Sequence, residues 1–308
     1  MNTKKPSILI TGAAGGLASV LVDLLIEKYH LVGIDPRPMP QDKTFPGEFY
    51  QVDYTHRKMA DVFRKHQFDS LVHMGRVRTS SVSSRYTQNV LGTKNLLNLG
   101  RENKIKNFIV FSTFHVYGAH QYNHVHITED EPLRASQTFP ELMDAIELDH
   151  AATTFLWRYR DVRTVVLRPA NVVGPRIKNT ISELLRGSHC PKLLGFDPVL
   201  QFIHEKDIAN ALLLSLEKKL NGVYNIAGEG VTPFSRAIDL VGAKPISVPT
   251  FVAYPLVKAL EKLDLSFPMH LIDYFRYPTV LSDQAFRSDS GYQPKVKTTD
   301  AIKSIRYS

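Results

Sequence analysis

Three glycines in TGAAGGLAS, Gly12, Gly15 and Gly16, follow a β-branched run and open an amphipathic one. At such a junction glycine lets the backbone turn sharply and lie against a pyrophosphate. The helix that follows offers unpaired N–H groups and the positive end of its dipole to the phosphates. Ala14 and Leu17 belong to the same turn. At the end of the next β-branched run, VGIDPRP carries Asp35, a carboxylate able to accept hydrogen bonds from both hydroxyls of an adenosine ribose and to repel a 2′-phosphate. Arg37, two residues on, pulls the other way. The pattern predicts a dinucleotide site that takes NAD in preference to NADP.

A second set of chemically capable residues lies in STFHVYG. The Thr113 hydroxyl can orient a reacting oxygen, and the His115 imidazole, titrating near pH 6.5 when unperturbed, can act as acid or base. Tyr117 is a third candidate; its plainer role is to order the VYG turn, and that of His115 is to bond a loop carbonyl. A third set, Arg76 and Arg78 in HMGRVRTS, clamps a carboxylate or phosphate if it points inward and belongs to a solvated basic surface if it points outward.

The elements that must hold these residues are legible in the alternation of short β-branched runs with helical patterns, the mark of a parallel sheet with crossover helices. SILIT, HLVGID, EFYQVD, SLVHM, NFIVFS, TVVLRP and GVYNIA read as strands. Between the first two, Leu17, Val20, Leu21, Leu24 and Leu25 recur at helical spacing. From about Gly174 the pattern breaks into proline-rich pieces and short helices. The expected fold is therefore α/β, a Rossmann-type doubly wound parallel sheet with a smaller C-terminal substrate-capping region. Residues 1–173 with 203–227 form the dinucleotide-binding part, and 174–202 with 228–308 form the cap. The aromatic-rich segment FVAYPLVKALEKLDLSFPMHLIDYFRYP lines an apolar pocket, forms a dimer face or packs as core.

With 308 residues the chain can bury a substantial core. Its single cysteine, Cys190, excludes an internal disulfide, and no window reaches the length of apolar residues that a membrane span needs. A cytoplasmic location is expected. The net charge of +8 and pI near 9.4 suit anionic ligands, but no basic run is interleaved with aromatics, so the expectation is a small-molecule substrate, anionic or apolar, and no nucleic acid. No metal site is expected.

In the order and spacing of its motifs, the chain resembles the extended short-chain dehydrogenases/reductases, the group of nucleotide-sugar epimerases and dehydratases. TGAAGGLA matches the glycine motif, with Ala18 at the third glycine; LVHMG, NVLGTKNLL, FSTFHVYG, LRPANVVGP and QFIHEKDIANA follow in turn. The resemblance implies that Asp53 and Tyr54 lie by the adenine, and that Met74, Gly75, Asn89, Met143 and Pro169 line the cofactor. It also implies that Asn171 faces the substrate and that chains pair through helices on one side of the sheet as a homodimer.

Members of that group work through a tyrosine and a lysine four residues on. TFPELMDAIELDHA, where the pair belongs, contains neither, but it holds four carboxylates. One alignment puts Phe139 and Met143 at the two places; another puts Met143 and Glu147 there. YTHRK and YPLVK repeat the spacing by accident of composition. The arginine that usually precedes the FIH motif and neutralises a diphosphate is Leu200 here. The expected protein is thus an NAD-binding oxidoreductase or epimerase-like enzyme with a modified proton relay, or else a non-catalytic NAD(H) sensor or scaffold.

Overall fold

The computed structural model describes residues 5–77, 81–261 and 271–306. The strands are β1 (Ser7–Thr11), β2 (His30–Asp35), β3 (Glu48–Gln51), β4 (Ser70–His73), β5 (Asn107–Phe111), β6 (Arg163–Pro169), β7 (Asn171–Val173), β8 (His189–Leu193), β9 (Val199–Leu200), β10 (Phe202–His204), β11 (Gly222–Ile226), β12 (Thr232–Pro233) and β13 (Lys244–Val248). Seven of them form one parallel sheet in the order β11-β6-β5-β4-β1-β2-β3. These seven are the strands legible in the sequence. β1 is central, with Leu9 beside Val32 of β2 on one side and Leu71 of β4 on the other. The strand order reverses there, which opens a crevice at the carboxyl ends of β1 and β4.

Every residue of β1 and β4 is buried, as a parallel sheet covered on both faces requires. On one face α1 (Gly16–Leu25) packs against α8 (Glu205–Glu217), and Leu21, Leu25 and Leu212 join the strand side chains in one core. On the other lie α2 (Lys58–Lys65), α4 (Gly92–Glu102) and α6 (Met143–Arg158), whose Val62, Leu96, Leu97, Leu148 and Phe155 fill a second core. Between them in the chain come the short helices α3 (Val82–Arg85) and α5 (Ala135–Thr138), a π-helical turn at Tyr86–Leu91 and a 3-10 turn at Phe114–Tyr117.

The remaining helices are α7 (Thr180–Arg186), α9 (Phe234–Leu240), α10 (Thr250–Glu261), α11 (Leu271–Tyr274), α12 (Gln284–Ser290) and α13 (Thr298–Ser304), and the remaining strands pair two by two, β7 with β10, β8 with β13 and β9 with β12. A third core under these pieces contains Phe114, Val116, Leu185, Phe234 and Ile302. Ala253, Val257, Leu271, Ile272, Tyr274 and Phe275 are buried in it, so the described part of the aromatic-rich segment is chiefly core, although Phe251 is exposed. Among the described residues no helix is long and apolar enough to cross a membrane.

Candidate functional site

The glycine turn leaves β1 with Gly12 at φ +73°, a conformation that side chains with a Cβ rarely adopt. Its N–H donates to the Tyr54 hydroxyl at 3.1 Å. Tyr54 is 1% exposed and burial pushes its phenol up, so this ring braces the turn from behind. α1 begins at Gly16 with no side-chain cap and no acidic residue in its first turn, which leaves its first N–H groups to a ligand. Gly16 is also a close-approach position: a Cβ there would sit 1.9 Å from the Arg176 carbonyl oxygen. Leu17 is half-buried against the sheet.

Asp35 is buried at the end of β2 and its oxygens are fully engaged. Oδ2 accepts from the Ala14 N–H (3.1 Å) and Arg37 Nη2 (2.9 Å); Oδ1 accepts from Arg37 N (2.9 Å) and Nε (2.9 Å). The Arg37 side chain is 64% exposed and can swing into solvent, while Asp35 is 1% exposed, so ribose hydroxyls that take Asp35 must replace the bonds the guanidinium gives up. An uncapped helix start, a backbone turn with no room for a Cβ, and a buried carboxylate at the switch point fit an adenine dinucleotide. Asp53 is partly exposed and accepts from Thr55 N (2.8 Å), Thr55 Oγ1 (2.6 Å) and Gln88 Nε2.

β4 is locked to the turn by a buried chain of hydroxyl and imidazole groups. Thr93 Oγ1 donates to the Asn89 carbonyl (2.5 Å), so it must accept from His73 Nε2 (2.8 Å). His73 Nδ1 then accepts from Thr11 Oγ1 (2.6 Å), and Thr11 Oγ1 accepts from the Gly75 N–H (3.4 Å). The chain needs a neutral His73, and burial pushes that imidazole down to about 4. Met74, half-buried, donates its N–H to the Thr11 carbonyl.

Thr113 caps the 3-10 turn after β5. Its Oγ1 is 2.8 Å from His115 Nδ1 and also accepts the His115 N–H at 3.3 Å. The His115 ring lies between Phe114 (centroids 4.1 Å apart) and Tyr274 (4.8 Å, edge-on), and the Tyr274 hydroxyl donates to the His115 carbonyl at 2.7 Å. Backbone, hydroxyl and two aromatic rings thus fix the imidazole against Thr113. Tyr117 requires a correction as a catalytic candidate. It is 2% exposed, its hydroxyl donates to Asn225 Oδ1 (2.8 Å) and accepts from Arg168 Nη1 (2.9 Å), and burial pushes it up to about 12. This phenol ties β11 to β6.

The helix in question takes its register from Asp149, fully buried on α6. Asp149 accepts from Ser112 Oγ (2.6 Å) and holds Arg168 through Nε (2.9 Å) and Nη2 (2.7 Å). Burial works against the Arg168 charge, but the bonds from Asp149 more than offset it. One turn toward the N-terminus on that side stands Ala145. Met143 is 42% exposed and Glu147 half-buried on the opposite side. The side chain that enters beside it is Asp144, 5% exposed, which accepts from Asn89 Nδ2 at 2.6 Å. Arg76 Nη2 lies 3.5 Å and Arg85 Nε 3.6 Å from its oxygens. Sequence reasoning missed Asp144, Arg85, Asp149 and Arg168; the only signal was a set of carboxylates on a helix whose other inward residues are apolar.

Arg78 lies outside the described residues. Pro169 is buried at the end of β6, and Asn171 Nδ2 donates to the Gln201 carbonyl (3.0 Å), pinning β7 beside β10. A cleft of about 400 Å³ lined by Glu229, Arg287, Tyr292 and Pro294 lies at the β11 edge and includes none of these groups.

A model of the NAD-dependent epimerase/dehydratase family matches residues 8–227. An uncharacterised protein of Mycobacterium tuberculosis is 28% identical over 310 residues, covering 96% of this chain and 82% of its own. Among solved structures, the UDP-glucose 4-epimerase of Thermotoga maritima with UDP-glucose superposes with a TM-score of 0.79 at 21% identity, covering 98% of both chains. WbmG of Bordetella bronchiseptica in complex with NAD gives 0.76 at 20% identity, covering 99% of this chain and 94% of that one.

Proposed function

The chain belongs to the NAD-dependent epimerase/dehydratase family, and from that premise we propose that it is an NAD-dependent oxidoreductase or epimerase-like enzyme working on a small molecule through Thr113 and His115. The observation that carries this reading is the 2.8 Å contact between Thr113 Oγ1 and His115 Nδ1 in a chain with no tyrosine or lysine between residues 138 and 151. Gly12, Ala14, Gly15, Gly16 and Asp35 hold the cofactor, which supplies a hydride acceptor or donor when bound.

With His115 in the Nε2–H form, Nδ1 accepts the Thr113 hydroxyl proton, and a Thr113 lone pair faces a substrate hydroxyl. On oxidation of an alcohol, the substrate proton passes to Thr113 Oγ1 as the threonine proton passes to His115 Nδ1; reduction runs the same transfers backwards. Neither step needs an ionised phenol. Phe114 and Tyr274 keep the ring in place and shield it from water. Substrate and cofactor enter at the carboxyl edge of the sheet, and the outer faces of α4 and α6 are the surface through which two copies would pair.

The test is NADH formation or consumption across a panel of alcohols and ketones. The expected result is turnover that Thr113→Ala abolishes and that His115→Asn lowers at least tenfold. A second reading, a non-catalytic NAD(H) sensor, is favoured by Ala145 and the absence of the tyrosine and lysine. Tight NADH binding without turnover on any member of the panel would select it.

A further inference from the structure

α6 ends in WRYR, an alternation of aromatic and basic residues that stops after four positions in the sequence. The fold lengthens it. Arg101, in the last turn of α4, lies over the Tyr159 ring at 4.1 Å from its centroid, Arg158 stands 5.3 Å from the same ring, and Arg160 lies 4.4 Å from that of Trp157. Arg160 Nε also donates to the Trp157 carbonyl at 3.0 Å, which holds that pair together. Trp157, the chain's one tryptophan, is 59% exposed, and its indole N–H makes no hydrogen bond among the described residues.

Strand order brings further cations to the same rim. β11, β6 and β5 are neighbours in the main sheet, and Arg163 opens β6 beside Asn107 of β5. Lys104 and Lys106 stand just before β5, and Lys218 and Lys219 just before β11, all four exposed. The Arg163 N–H donates to the Lys106 carbonyl (2.9 Å) and its guanidinium to the Lys218 carbonyl (3.3 Å), tying the three approaches together. RENKIK, WRYRDVR and EKK, which make this rim, hold eight basic residues against three acids, and one of those acids, Glu217, is already paired with Lys28 at 2.9 Å. A cation in a last helical turn complements the helix dipole, which accounts for Arg101 and Arg158. It does not account for the four lysines, whose ammonium groups meet no carboxylate among the described residues. The rim is the amino edge of the sheet; the dinucleotide crevice opens at the carboxyl edge, and the seven residues of β6, about 20 Å, separate the two.

We propose that this rim is a docking surface for an anionic phospholipid bilayer, with Trp157 at the headgroup level and the lysines and arginines on the phosphates. Indole rings settle at the boundary between water and acyl chains, and each basic residue brought near an anionic membrane adds roughly fivefold in affinity. A single-stranded nucleic acid is the poorer fit, because bases need bare ring faces to stack on and guanidinium groups lie over the rings of Trp157 and Tyr159. Docked by its amino edge, the protein keeps the carboxyl-edge crevice open to solvent.

The experiment adds phosphatidylcholine vesicles, or vesicles in which one lipid in three is phosphatidylglycerol, to the full chain and follows cosedimentation and the emission of Trp157, which is free of any other indole signal. The expected result is cosedimentation and a blue shift with the anionic vesicles only, both reversed by high salt. Lys106→Gln, Lys218→Gln and Arg160→Gln combined should weaken binding by on the order of 100-fold, and Trp157→Ala should weaken cosedimentation severalfold. The proposal is overturned if neither kind of vesicle binds, if both bind alike, if the triple variant binds as the wild type does, or if a single-stranded oligonucleotide at the same salt binds more tightly than the anionic vesicles. A blue shift that appears on concentrating the protein without lipid would also overturn it, by giving the rim to a second copy of this chain.

Discussion

Replacing Asp149 by alanine removes four hydrogen bonds at once: Ser112 Oγ at 2.6 Å, the Arg168 guanidinium at 2.9 and 2.7 Å, and Thr153 Oγ1 at 3.4 Å. The two charged side chains are 0% and 5% exposed, so what remains is a buried cation that, among the described residues, has only Tyr117 and the Glu129 carbonyl to bond. Breaking a buried pair from one side costs about 3–5 kcal/mol, because the surviving charge keeps its desolvation penalty and loses its compensation. Arg168→Met should cost a similar amount, stranding the carboxylate instead. Changing both partners, Asp149→Leu with Arg168→Met, removes both penalties and should lie within about 2 kcal/mol of the wild type. The assay is urea unfolding followed by far-UV circular dichroism, with the free energies assembled as a double-mutant cycle. A coupling of about 3 kcal/mol or more is expected. Single replacements that each cost under about 1 kcal/mol, or that simply add in the double variant, would refute the argument that this pair fixes α6 against β5 and β6.

Three further outcomes follow from the same geometry. His73 is held neutral in the fold with its pKa down at about 4, while the unfolded chain titrates near 6.5, so the unfolded state binds more protons in between and stability falls as pH drops through that window. The loss from this group totals about 3 kcal/mol, and His73→Gln should flatten the profile by up to one proton when urea midpoints are compared from pH 7 to 4. Gly16→Ala would set a Cβ 1.9 Å from the Arg176 carbonyl and force the backbone apart, at a cost of about 1–3 kcal/mol in thermal or chemical unfolding and with weaker NAD binding. Phe139→Tyr, at a residue 6% exposed, should not raise turnover, since no lysine is present between residues 138 and 151 to lower the new phenol toward neutrality; a large gain in rate would count against the relay proposed.

Most strands of the main sheet were legible as short β-branched runs buried on both faces, the edge strand β3 by its aromatic pair Phe49 and Tyr50, and the glycine turn because its backbone demands leave few residue choices. The register of α6 was not. Its inward side carries Asp144 and Asp149 among apolar residues, and hydrophobic spacing counts such acids as outward-facing; counting along the chain, from EDEPLRA or back from LRP, sets Met143, 42% exposed, in the pair either way. Only the partners reveal the true face, and they lie far off in the chain: Arg168 on β6 for Asp149, Asn89 in the turn before α4 for Asp144. Tyr117 failed as a candidate for a related reason. Two residues after His115, it points into the core toward Asn225, a residue more than a hundred positions later. The strands outside the main sheet were readable only as a change of texture, because they are two to five residues long and pair across distant segments.

Calorimetric titration with NAD tests the central claim most directly. The account predicts saturable binding at one site per chain, weakened at least tenfold by Asp35→Ala, which removes the ribose acceptor. Heat indistinguishable from dilution for the wild-type protein, or an Asp35→Ala variant that binds as tightly, would contradict it.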